Sequence, residues 1–259
     1  MSLFSLQQFL DKSKEKHNIS QYNIDIYHKG INVFHLRKGY SFKNIISKDS
    51  KNFNVNPKII ACLALITLCV NDKVSLNDSI QKYILEISEN ETLEDLIINY
   101  LNTSEPETEF KHFKFISEII KTISGYSIEE YSELMVIKPM KMNSTVFSSN
   151  SVTTTSGSYY KLCNHISNYG CTLLKHKYLK NSIEVFARLT EKTQRGYLSY
   201  ADKNGSYTLI DPKNKILVIY NQHPIYITGN QYILFDELQT FIYDWLKSGD
   251  FPKGINLFP

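Results

Sequence analysis

Asn54-Val55-Asn56-Pro57-Lys58 runs straight into Ile59-Ile60-Ala61-Cys62-Leu63-Ala64-Leu65-Ile66-Thr67-Leu68-Cys69-Val70. A proline two residues past an asparagine, followed by about three turns of apolar sequence, predicts the start of a buried helix. The run is too short to span a bilayer, which takes roughly 20 apolar residues. A helix that is apolar on every side belongs in the middle of a domain, with other elements packed around it. Lys58 falls in its first turn, where the positive end of the helix dipole disfavours a cation. Such a lysine either reaches out to solvent or a carboxylate, or does chemistry.

The rest of the composition is that of an ordinary soluble globular protein. Hydrophobic residues make up 42% of the 259, charged residues 21%, and the net charge is +3. No basic run or basic-aromatic stripe argues for nucleic acid, and the eighteen tyrosines are scattered along the chain. The N-terminal stretch Met1–Leu10 lacks the basic start and long apolar core of a signal peptide, so a cytoplasmic location is the expectation. Export by a segment lying upstream remains the alternative. Cys62, Cys69, Cys163 and Cys171 form neither a Cys-x-x-Cys pair nor a zinc pattern with histidine, and read as reduced thiols. The seven histidines show no ligand spacing, so neither a metal nor a cofactor is expected.

Outward from the central helix, the pattern is helix and strand in a definite order. Leu3, Leu6, Phe9 and Leu10 recur at helical spacing and predict a first helix ending near Lys16. Alternating runs at Tyr22–Tyr27 and Ile31–Leu36, joined by His28-Lys29-Gly30, predict a β-hairpin. Residues 37–53 read as polar and irregular. After the central helix, Thr92 is placed to cap one helix, and a second runs from about Phe113 to Ile123 and stops at Gly125. Ser127-Ile128-Glu129-Glu130 has the form of a capping box. Residues 148–158, rich in Ser, Thr and Gly, read as a loop, with helical texture over roughly 160–175 and 183–190. The last third holds three β-rich runs, Gly196–Tyr200, Ser206–Ile210 and Lys215–Tyr220, then an amphipathic helix over about Gln231–Lys247. These elements predict an α/β (α+β) sandwich: an antiparallel sheet of about five strands, terminal helices on one face, and an inserted helical region. One domain over 1–259 is expected, with 1–53 and 191–259 forming the sheet and 54–190 mostly helical.

Several phrases in this order resemble the serine β-lactamase and penicillin-binding protein superfamily, on its class C β-lactamase-like and D-alanyl-D-alanine carboxypeptidase-like branch. They are Asp72-Lys73-Val74-Ser75-Leu76-Asn77-Asp78, Ile119–Tyr131, Ile137-Lys138-Pro139-Met140-Lys141-Met142-Asn143, and Gly205–Pro212 with the strand that ends at Asn221. Together they span nearly the whole chain. The resemblance implies that family's fold and a serine-hydrolase ancestry.

The family's catalytic phrases are another matter. It places Ser-x-x-Lys at the start of the central helix, the serine as nucleophile and the lysine helping to activate it. The resemblance puts Lys58 on that lysine and Val55 on the nucleophile, and valine has no lone pair with which to attack. At the family's Tyr-x-Asn position stands Thr108-Glu109-Phe110. For Lys-Thr-Gly or His-x-Gly, two registers stay open, Ser199-Tyr200-Ala201 and Lys192-Thr193-Gln194. Ser13/Lys16, Ser79/Lys82 and Ser158/Lys161 also have Ser-x-x-Lys form but do not open the central helix.

What this implies is a catalytically inactive relative acting as a binding or regulatory module. Lys58 is then a vestige held by solvent or a carboxylate, and Glu109 reads first as a solvated loop residue. A cleft formed by Lys58, Glu109 and Ser199 is the candidate binding site. The alternatives are an active hydrolase with a relocated nucleophile (Ser199 or Thr108), and a structural or oligomer-forming domain whose groove Phe110 and Val55 plug. The partner would be a small molecule, peptide or protein, without nucleic acid or a membrane span.

Overall fold

The computed structural model describes residues 3–16, 19, 21–39, 53–55, 57–84, 90–143, 145–148, 151–170, 174–201, 206–223 and 231–248. Within them the chain runs α1 (Leu3–Lys16), β1 (Gln21–His28), β2 (Ile31–Lys38), β3 (Phe53–Val55), α2 (Pro57–Val70), α3 (Leu93–Asn102) and α4 (Pro106–Ser124). Then follow α5 (Ile128–Ser132), which widens into a π-helical turn over Glu133–Ile137, β4 (Val146–Ser148), β5 (Ser151–Thr154), α6 (Ser156–Ser167) and α7 (Lys177–Glu191). The chain closes with β6 (Leu198–Ala201), β7 (Ser206–Asp211), β8 (Ile216–His223) and α8 (Gln231–Lys247). Two compact units result: Met1–Ser50 with Ser199–Ile210 and Asn214–Pro259, and Lys51–Leu198 with Asp211–Lys213.

The first unit is built on a five-stranded antiparallel sheet of order β2-β1-β8-β7-β6, so the expected sheet is present. Its hairpin closes through Lys29 and Gly30, whose φ angles of 54° and 79° suit a two-residue turn that needs φ > 0 at both positions. Strand β1 alternates as its sequence does, burying Tyr22, Ile24 and Ile26. The terminal helices pack on that face. Tyr22 donates to Asp11 of α1 at 3.3 Å and stacks on Tyr220 of β8, while Tyr207 stacks on Phe235 of α8 at 4.9 Å. Phe9 and Phe241 join the two helices at 5.3 Å.

The second unit is organised around α2. Every residue from Lys58 to Leu68 is buried, and α3, α4, α5 and α7 pack against it. The helix ends where Asp72 enters the left-handed region (φ 56°), with Asp72 N–H bonding Cys69 O and Lys73 N–H bonding Leu68 O. That is a Schellman closure with aspartate standing where glycine is commoner. Thr92 and Ser127 each make a full capping box, with Asp95 and Glu130, and Gly125 terminates α4 at φ 78°.

Two local expectations fail. The supposed loop at 148–158 holds the end of β4, all of β5 and the start of α6, and β3, β5 and β4 form a small second sheet. Pairing with β3, far away in the chain, makes these Ser/Thr-rich residues strands: Phe53 faces Thr154 and Val55 faces Val152. The helix expected from Phe113 starts instead at Pro106, because a proline at the first helical position followed by Glu107 and Glu109 suits the positive end of a helix. The expected turn at 202–205, most of the irregular stretch at 37–53, Asn56 and Cys171 lie outside the described residues.

Candidate functional site

The site grows from Lys58, the second residue of α2. Its side chain is only 8% exposed, so the ammonium must be satisfied by the protein rather than by water. Nζ lies 3.0 Å from Glu109 Oε2 and donates to the backbone carbonyl of Thr103. It also sits over the ring of Tyr100, 5.4 Å from the centroid, within reach of a cation–π attraction. Three helices supply these groups. Tyr100 lies on the buried face of α3, Thr103 is the C-cap of α3, Glu109 lies in the first turn of α4, and Pro57 starts α2 one residue earlier.

Most of the surrounding side chains are buried. Burial pushes the Tyr100 phenol above the ordinary tyrosine range, with Cys62 and Glu109 adding to the rise. Burial likewise raises the Cys62 thiol one turn along α2, against the opposing pull of Lys58, so this sulfur stays protonated at neutral pH. His112, on α4, meets Tyr100 edge to face at 6.2 Å. Its imidazole is held below the usual histidine range, first by burial and then by the charges of Lys111 and Lys58.

Of the residues singled out from the sequence, the structure brings Lys58 and Glu109 together. Glu109 is a helix residue, not part of a loop, and its side chain is 31% exposed. Thr108 is beside it in sequence, but its hydroxyl donates to the Glu105 carboxylate. Phe110 plugs nothing: it is 62% exposed. Val55 ends β3 ahead of the helix, its backbone paired with Val152. Ser199 and Ala201 lie on β6, the edge strand of the large sheet. The other register, Lys192-Thr193-Gln194, falls in the turn after α7, where Lys192 pairs with Glu94 at 2.6 Å and Thr193 donates to the Thr190 carbonyl. Only Ser199-Tyr200-Ala201 therefore occupies a strand. Asn221 lies inside β8, which runs on to His223 instead of ending there.

Sequence reasoning missed Tyr100, Thr103 and His112. A buried aromatic on a capped helix carries no functional signal, and Thr103 contributes a carbonyl, which every residue has. Elements meeting in three dimensions select these groups.

Known proteins match this chain in fold but not in sequence. A scan against protein-family profiles finds no match, and neither does a search of curated protein sequences. Solved structures do match. A class C β-lactamase from Rhodobacter sphaeroides is 10% identical with a TM-score of 0.61, the match covering 92% of this chain and 99% of that one. EstCE1, a hydrolase with promiscuous acyltransferase activity, is 9% identical with a TM-score of 0.59, covering 90% and 97%. The octameric penicillin-binding protein homologue from Pyrococcus abyssi is 13% identical with a TM-score of 0.57, covering 93% and 78%. The order of elements, the five-stranded sheet and these matches together establish that the chain has the fold of the serine β-lactamase and penicillin-binding protein superfamily.

Proposed function

We propose that this chain is a catalytically inactive form of that fold, serving as a binding or regulatory module. The single observation that carries the reading is the state of Lys58. A lysine that activates a nucleophile needs a hydroxyl within hydrogen-bond reach and freedom to exchange a proton. Here the ammonium is engaged by the Glu109 carboxylate, the Thr103 carbonyl and the Tyr100 face, and it is buried among them. Valine at position 55 offers no nucleophile, and Thr108 and Phe110 supply neither the phenol nor the amide of the family's Tyr-x-Asn phrase. A relocated nucleophile at Thr108 is disfavoured by its own engagement with Glu105.

The test is direct. Fluorescent penicillin and the chromogenic cephalosporin nitrocefin are offered to the purified chain. The reading expects neither a labelled band nor turnover above the buffer rate. Labelling or turnover that disappears in Lys58→Met would overturn it.

A further inference from the structure

Beside the Lys58 cluster, but not part of it, lies a cavity of about 490 Å³ lined by Asn90, Glu91, Asp95, Asn99, Lys111, His112 and Phe115. Its size is that of an ordinary small-molecule site. Two elements make it: the entry and first turns of α3, and the middle of α4. One wall is His112, 9% exposed, whose Nδ1 has no hydrogen-bond partner. A buried, unsatisfied ring nitrogen costs free energy unless something else meets it, and most such atoms in proteins are paired.

The lining narrows what could meet it. Six of the seven lining residues carry polar or charged groups, which favours a ligand that can hydrogen-bond. Glu91 and Asp95 oppose a polyanion. Among the described residues no trio of His, Cys, Asp or Glu is placed to hold a metal ion. What remains is a small polar ligand carrying both signs. The carboxylates belong to the α3 side: Asp95 Oδ2 accepts from the Thr92 hydroxyl at 2.6 Å, and Glu91 Oε1 accepts from Asn99 Nδ2 at 2.5 Å. A carboxylate has about four acceptor sites and can serve several donors at once. The donors belong to the α4 side. Lys111 holds its ammonium over the Phe115 ring at 5.5 Å, and His112 follows it in sequence.

We propose that this cavity binds a small zwitterion of the α-amino-acid type. Its ammonium faces Glu91 and Asp95, its carboxylate faces Lys111 and the His112 ring, and the amides of Asn90 and Asn99 fill the remaining polar contacts. The assignment stands on this cavity alone and does not depend on whether chemistry has been lost near Val55.

Isothermal titration of the full chain tests it with glycine, serine and glutamine, their N-acetyl and C-amide derivatives, and glucose as a neutral polyol. At least one free amino acid should bind saturably, and masking either charged end should weaken it by about tenfold or more, roughly 1.4 kcal/mol. Glu91→Gln and Lys111→Met should each cost a similar factor without lowering the melting temperature. They replace His112 as the test positions because a buried ring cannot be changed without risk to folding. Three results would overturn the proposal: no saturable binding at millimolar concentration, equal binding of the masked derivatives, or glucose binding in their place.

Discussion

Lys58 occupies a position that the dipole of its own helix disfavours, and its neighbours supply what that helix withholds. The Thr103 carbonyl lies at the negative end of α3, and Glu109 lies at the positive end of α4. The ammonium therefore satisfies one helix end and pairs with the residue that satisfies another, while its own stem stays buried in α2. Removing one partner of a buried pair usually costs about 3–5 kcal/mol, because the other charge is stranded. The Glu109 side chain is nearly one-third exposed, so water recovers part of that loss. Lys58→Met is expected to lower stability by roughly 1–3 kcal/mol, read from the urea midpoint with unchanged slope. Glu109→Gln should cost less, and the double variant less than the sum of the two, with a coupling of about 0.5 kcal/mol or more. Strict additivity would mean that the pair contributes nothing.

At the scale of elements, closures rather than sites set the local costs, and two glycines separate the effects. A side chain at Gly125 would meet nothing within 4 Å, so Gly125→Ala carries only the penalty of φ 78°, about 1 kcal/mol. At Gly170, with φ 65°, an added Cβ would stand 2.9 Å from the Lys180 backbone carbonyl. Gly170→Ala should therefore lower the melting temperature distinctly more than Gly125→Ala, and equal losses would contradict the structure. The same scale shows why the sequence was readable where it was. The hairpin turn, the two capping boxes, the Gly125 stop and the apolar α2 are signals within a few residues of the structure they specify. The small β3-β5-β4 sheet was hidden because its strands are short, and Val55 meets Val152 across most of the second unit's sequence. The start of α4 was obscured because acidic residues around a proline suit a loop as well as a helix entrance. Lys58 was legible as a misplaced charge. Its partners were not, because one is a backbone carbonyl, one an aromatic face, and one a glutamate in a run of acidic residues.

Across the whole molecule, burial leaves a signature in the response to acid. His28, His112 and His165 are each held below the usual histidine range, chiefly by burial. Above about pH 6.5 they are neutral in both folded and unfolded chains and contribute no pH dependence. Below it the unfolded chain takes up protons first, so stability falls as pH falls until the depressed folded values are passed. Asp78, held below the carboxylate range chiefly by its hydrogen bond from Tyr83, has the same sign in a more acidic window. Its stabilisation is present above the ordinary aspartate value and lost as pH drops through the folded one. The urea midpoint should thus decline steadily from pH 7 to pH 5, and a rise over that interval would contradict this balance of buried groups.

A likeness of about one identical residue in ten shows the fold, whereas function depends on the side chains at the site. The central claim is that no nucleophile remains beside Lys58. Intact-mass spectrometry after exposure to an alkyl fluorophosphonate, which phosphonylates activated serines and threonines whatever their position, tests it most directly. The account predicts a single unshifted mass in the native chain, identical to that of Lys58→Met. A stoichiometric adduct on the native chain that is absent from Lys58→Met would contradict it.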